Sequence, residues 1–376
     1  MTSQTLLITA TKKQGSSFNS KSHLLHNIGD GGIEVKFFCQ GLCIQTALIA
    51  PHKGIASYLD AAMEKHLVIG ASGQLGIELI TGMQARYGVN AVVACDIMKS
   101  NDKGVNKCEF ISLDATDINS VRKTLKTGEF THVYHLVAML SAKGEENPIA
   151  GWDLNMKSLL NVLECAKEGL VKKVFWPSSI AVFGPNAPKI KTSQNTFCDP
   201  TTVYGVSKVA GELWAKYYFE HYGVDVRSVR YPGLIGHRSQ PGGGTTDYAV
   251  EAFYCALERK PFVCYLDKNE ALPMMHMDDA VRATLDLMEA PLENIKTRTS
   301  YNLSGCSFSP SELNHELSKF VSDFNTEYNP DYRQKIAASW PDSIDDSEAR
   351  KDWGWEPEFS TSKLVKQMLD GLKSIV

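Results

Sequence analysis

From His66 onward, short apolar runs alternate with stretches of helical periodicity, the pattern of strands and helices wound around a parallel sheet. Leu67-Val68-Ile69, Ala91-Val92-Val93-Ala94, Phe110-Ile111-Ser112-Leu113, Val133-Tyr134-His135-Leu136-Val137, Val174-Phe175-Trp176 and Val226-Arg227-Ser228-Val229 read as six buried strands. The segments between them predict helices over 75–86, 119–125, 147–168 and 203–222. After Tyr231 the alternation breaks into Gly- and Pro-rich loops, with shorter helices expected around 278–289, 310–324 and 360–373. The predicted fold is therefore α/β: a doubly wound, Rossmann-type parallel sheet over residues 65–232, with a smaller C-terminal substrate-binding lobe over 233–376 that returns some segments to the main domain.

Residues 1–64 do not share this pattern. Up to Gly29 they hold Lys12, Lys13 and Lys21 among many Ser and Thr residues, with no acid and no arginine. That bias is shared with organelle transit peptides, so a mitochondrial targeting leader is one expectation. A poorly ordered tail, or an extension upstream of a start at Met63, is the other, with a cytoplasmic location. The apolar stretch 33–49 is interrupted by Gly41 and falls short of the ~18 residues of a membrane span.

Composition narrows the partners. A net charge of −4, with 43% hydrophobic and 22% charged residues, gives no electrostatic reason to expect nucleic acid or an anionic membrane, and leaves ample material for a core. The nine cysteines are scattered and mostly embedded in apolar runs, as free thiols are in a reducing compartment. Cys39 and Cys43 lie close together but lack a second pair at zinc-site spacing, so no metal is expected.

Chemistry enters directly after the first strand. Gly70-Ala71-Ser72-Gly73-Gln74-Leu75-Gly76 opens into a helix, and such glycines let backbone N–H groups and the helix N-terminus approach a pyrophosphate. About twenty residues on, Asp96, followed by Ile97, ends the second strand, where a carboxylate accepts from ribose hydroxyls and repels a 2′-phosphate. NAD is favoured over NADP. Asp114 and Ala115 follow the third strand and could meet the adenine edge; Leu136 and Ala138 at the fourth could let a cofactor lie flat. Both pairs also fit simple loop punctuation.

Tyr204 and Lys208 stand four apart, on one face of a predicted helix. A phenol with a pKa of about 10 is a weak base at neutral pH, but an adjacent ammonium lowers that value and equips Tyr204 to take a proton from an alcohol. Upstream, Ser178 and Ser179 end the fifth strand, where a hydroxyl could hold the substrate oxygen. Asn155 could organise a link toward Lys208, or simply face solvent.

Together, Gly70 to Gly76, Ser179, Tyr204 and Lys208 resemble the extended short-chain dehydrogenase/reductase superfamily, over residues 66 to about 375. Within it the chain is similar to the short-chain family of threonine 3-dehydrogenases, and not to the zinc-dependent type. The runs that carry this are 136–142, Arg230-Tyr231-Pro232-Gly233, Gly242-Gly243-Gly244-Thr245-Thr246-Asp247-Tyr248-Ala249, Ala271-Leu272-Pro273-Met274-Met275 and 339–346. The run His237-Arg238-Ser239-Gln240 departs from the pattern. The resemblance implies oxidation of the L-threonine 3-hydroxyl by NAD to 2-amino-3-ketobutyrate and NADH, with Tyr204 as base, Lys208 on the ribose and Ser179 on the substrate oxygen. It also implies a homodimer. Cofactor contacts are expected from Gly70, Ser72, Gly73, Gln74, Leu75, Gly76, Asp96, Ile97, Asp114, Ala115, Leu136, Ala138, Asn155, Tyr204, Lys208 and Leu234. For the substrate's charged ends the candidates are Ser141, Ser178, Thr245, Thr246 and the N–H groups of Gly242 to Gly244. A nucleotide-sugar 4-epimerase or dehydratase shares the same motifs and stays open as the alternative.

Overall fold

The structure is a computed structural model that describes residues 64–238 and 240–374, together with the backbone of four earlier strands. The chain falls into two units, Met1–Glu64 and Lys65–Val376. In the first, strands Thr5–Gln14, Ser17–Ile28, Gly32–Cys39 and Leu42–Ile49 pair antiparallel in chain order. The side chains on which the targeting expectation and the Cys39/Cys43 question rest lie outside the described residues.

The second unit is built on a seven-stranded sheet. Its strands are β1 (His66–Ile69), β2 (Val92–Asp96), β3 (Glu109–Ser112), β4 (His132–His135), β5 (Lys173–Ser179), β6 (Asp225–Tyr231) and, returning from the C-terminal part, Tyr301–Asn302. They are parallel throughout, in the order β3-β2-β1-β4-β5-β6 followed by the returning strand. The order reverses between β1 and β4, and in open α/β sheets the crevice at that reversal is where ligands bind. All six predicted strands are present. The returning pair had no sequence signal, because two residues hold no periodicity.

Helices α1 (Gln74–Tyr87), α2 (Ile118–Gly128), α3 (Ser141–Glu146), α4 (Pro148–Lys167) and α5 (Val203–Tyr222) connect these strands. Pro148 starts α4 where its missing N–H costs nothing, and Asn147 caps it by accepting from Ala150 N. Two apolar cores sandwich the sheet, and a third fills the C-terminal part around Phe253, Leu266, Phe308 and Met368. There α6 (Tyr248–Glu258), which buries Ala249, Ala252, Phe253 and Ala256 and turns Glu251, Tyr254, Cys255 and Glu258 to the other side, stands directly after the Gly-rich run where the sequence predicted loop. The helix predicted over 310–324 stops at Ser318, and the chain turns at Asp323, with φ +65°, into the short strand Thr326–Tyr328.

Four buried histidines make this fold acid-sensitive. Burial holds His66 and His276 down to about 4 and His132 and His135 down to about 3, against an unfolded value near 6.5. Above pH 6.5 they are neutral in both states. Below it the unfolded chain takes up protons that the folded one refuses, so stability falls progressively from about pH 6.5 toward the folded values. Thermal melts between pH 7.5 and 5 should show Tm dropping steadily; a flat profile would contradict the burial of these rings.

Candidate active site

Local backbone geometry shapes the crevice at the β1/β4 reversal. Gly70 leaves β1 with φ +91°, and a Cβ there would stand 3.0 Å from Val137 N, on the neighbouring strand's exit. A Cβ on Gly76 would come within 2.3 Å of Gly70 O, so the first turn of α1 rests directly on the glycine loop. Gly73 is the N-cap of α1 and supplies no side-chain cap. The first N–H groups of α1 have no partners within the helix and open toward the crevice, the arrangement that receives a pyrophosphate.

A cavity of about 450 Å³, the size of a small-molecule site, runs from this loop to the C-terminal part. Gly70, Gly73, Gln74, Leu75, Gly76, Leu136, Ala138 and Leu234 line it at one end; Ser141, Ser178, Ser179, Tyr204, Lys208, Gly244, Thr245 and Thr246 line it elsewhere. Tyr204 and Lys208 thus face the same space as the glycine loop. Asp96 stands beside the loop, accepting from Ser72 N at 2.9 Å and Ile97 N at 2.7 Å, while the Ser72 hydroxyl donates to Met98 O.

Several of the expected groups are already engaged. Asp114 and Ala115, like Ser72, Asp96 and Ile97, stand outside the cavity lining. The Asp114 carboxylate accepts from Thr116 N and Oγ1 at 2.8 and 2.7 Å, and Ala115 O accepts from Asn161. Asn155 is neither solvent-facing nor a cavity residue. It accepts from Met139 N at 2.7 Å and donates to Met139 O and Ser207 Oγ, so it fixes the strand exit against α5 without touching Lys208. The Ser178 hydroxyl is already spent, donating to Glu212 Oε1 at 2.6 Å. The N–H groups of Gly243 and Gly244, expected to await a substrate carboxylate, donate instead to Asp247 Oδ2 at 2.9 and 2.8 Å. Ser141 and Thr245 bond to each other at 3.0 Å.

The electrostatics also differ from the simple expectation. Burial pushes the Tyr204 phenol up to about 12, and only a hydrogen bond with Ser179 pulls it back. Burial brings Lys208 down to about 7, opposed by Glu212. The ammonium donates to Pro177 O at 2.5 Å and stands 5.3 Å from the Tyr204 ring centroid and 4.5 Å from that of Trp176. Burial thus disfavours the charged form of both groups, raising the phenol and lowering the ammonium.

Behind the cavity lies a buried network that the sequence reading missed. Glu212 pairs with Arg230 at 2.7 Å, and Arg230 also donates to Gln194 O and Asn302 Oδ1. Glu212 was legible in principle, one turn beyond Lys208 on the same helix face. Trp340 and Lys143 join the cavity wall as well. Arg238, from the departing run, ties the approach to the glycine-rich loop onto α1 through Thr81 and Glu78 and onto the loop after β2 through Asp102.

A Rossmann crevice with an open helix N-terminus, an acid at the end of β2, and a Tyr/Lys/Ser set lining the same cavity defines an NAD-dependent enzyme of the extended short-chain dehydrogenase/reductase type. Residues 66–304 match the NAD dependent epimerase/dehydratase family, and the chain belongs to that family. An uncharacterized epimerase/dehydratase from Staphylococcus aureus is 44% identical over 313 residues, 83% of this chain and 97% of the relative. The solved GalE-like L-threonine dehydrogenase from Cupriavidus necator, in its holo form, is 49% identical with a TM-score of 0.80, covering 82% of this chain and 99% of that one. At 20% identity a UDP-glucose 4-epimerase from Thermotoga maritima, with a TM-score of 0.74 over 83% of this chain and 99% of its own, shares the fold alone. The cofactor of this chain is NAD, and the glycine loop, the uncapped N-terminus of α1 and Asp96 fit it.

Proposed function

We propose that this chain oxidises the 3-hydroxyl of L-threonine with NAD, giving 2-amino-3-ketobutyrate and NADH. One observation carries the reading: near 50% identity to a threonine dehydrogenase along almost its whole length, with Ser179, Tyr204 and Lys208 gathered on one cavity wall. The oxidised nicotinamide, when bound, supplies the hydride acceptor and a positive charge. Tyr204 then removes the hydroxyl proton, Ser179 holds the oxygen as its carbonyl develops, and Lys208 stabilises the phenolate when protonated, a state that Glu212 favours. Because burial alone keeps the phenol near 12, proton removal depends on that positive surrounding.

The nucleotide-sugar alternative has less support. Among the described residues lining the cavity only Lys143 and Lys208 are basic, and Lys208 is held by Pro177, a poor set for a diphosphate. Purified protein should give a threonine-dependent rise in NADH absorbance; turnover of a UDP-sugar without any response to threonine would refute the proposal. We also read the chain as a homodimer through α4 and α5, whose Trp152, Leu213, Trp214 and Tyr217 leave apolar surface exposed. Sedimentation giving a monomer at micromolar concentration would count against it.

A further inference from the structure

We infer that Asp247 reads the substrate's ammonium group and so selects amino alcohols over hydroxy acids, an inference that rests on the threonine reading above. Asp247 is 8% exposed and, among the described residues lining the cavity, is the one carboxylate. Its Oδ2 takes the Gly243 and Gly244 N–H groups at 2.9 and 2.8 Å, and the Gly242 N–H also acts on the carboxylate. No cationic side chain among them stands within ion-pair distance. Arg333, the basic group acting on it from a distance, is committed to Asp331 at 2.6 Å and to the face of Tyr265, and Glu251 one turn on adds a like charge.

A carboxylate this deeply buried is costly unless it meets a cation. Burial accordingly pushes its pKa up, although the Gly244, Gly243 and Gly242 N–H groups draw it back. Those donors and the N-terminus of α6 hold the group in place, but none of them brings a full positive charge. The charge is missing on the cavity side, where an α-ammonium would supply it. The Ser141–Thr245 hydroxyl pair, together with Lys143 on the rim, remains for the substrate carboxylate. The glycine loop therefore serves to seat Asp247, which in turn contacts the substrate.

Asp247→Asn keeps an acceptor for the glycine N–H groups and removes only the charge. In that variant the KM for L-threonine should rise about 10- to 100-fold, the range of a lost charged hydrogen bond, with kcat and NAD affinity close to wild type. The competitive inhibition constant of (3R)-3-hydroxybutyrate, the same skeleton without the ammonium, should not weaken. Unchanged threonine KM, or equal weakening of both ligands, would overturn the inference and leave Asp247 as a loop staple. Should the variant not fold, the wild-type enzyme decides: 3-hydroxybutyrate binding as tightly as threonine would also overturn it. A wild type that ignores threonine altogether would instead sink the substrate reading.

Discussion

Tyr204→Phe is expected to lower kcat by about 10²- to 10⁴-fold, the contribution of a positioned acid/base group, with NAD affinity nearly unchanged. The substitution deletes one oxygen from a ring that packs against the C-terminal core, so the fold should persist. On the proposed mechanism, what is lost is the proton acceptor beside Ser179 on the cavity wall. Neither neighbour replaces it: Ser179 is a much weaker base, and Lys208 donates to Pro177 O. Single-turnover kinetics by stopped-flow, alongside NAD titration by fluorescence quenching, separate the two effects. Wild-type turnover in the variant would remove Tyr204 from the mechanism.

Glu212→Gln should be the most damaging change away from the reacting groups, costing about 3–5 kcal/mol of stability because it leaves a buried guanidinium without its counter-charge. Glu212 and Arg230 are both almost fully buried, and one Glu212 oxygen also receives the Ser178 hydroxyl. The loss would reach the active site, since Glu212 also opposes the downward pull of burial on Lys208. Combining it with Arg230→Met should recover part of the stability, as replacing a whole buried pair is far less costly than breaking it. Urea unfolding of the two single variants and the double variant tests this: a single variant as stable as wild type would mean that the pair contributes nothing.

The elements legible in the sequence were those whose burial leaves a local trace. The inner strands are mostly short apolar runs because a parallel sheet is covered on both faces, while the edge strand β3 is partly exposed, and the 203–222 helix matches α5 to the residue. Thr202 and Gly223 punctuate it, the one accepting from Gly205 N and the other turning the chain at φ +69°. Less was legible where a helix follows directly on a Gly-rich run, as α6 does, or where an element is too short to repeat, as in the strand at 301–302. The site divides in the same way. The glycine loop, Asp96, Ser179, Tyr204 and Lys208 each sit at a fixed offset from an element end, so spacing along the chain identified them.

By itself, then, the sequence determined the six main strands, the dinucleotide loop and the side chains that the fold gathers at the cavity, because each depends on neighbours within a turn or a strand. Only the tertiary structure decided how those groups are charged and which are already engaged. It spends Ser178 on Glu212, Asn155 on Met139 and the glycine N–H groups on Asp247, and it buries Lys208 fully and Tyr204 in part, disfavouring both charged forms. The reason is physical: hydrogen-bond partners and desolvation are set by what packs alongside from distant parts of the chain, and chain spacing carries no record of that.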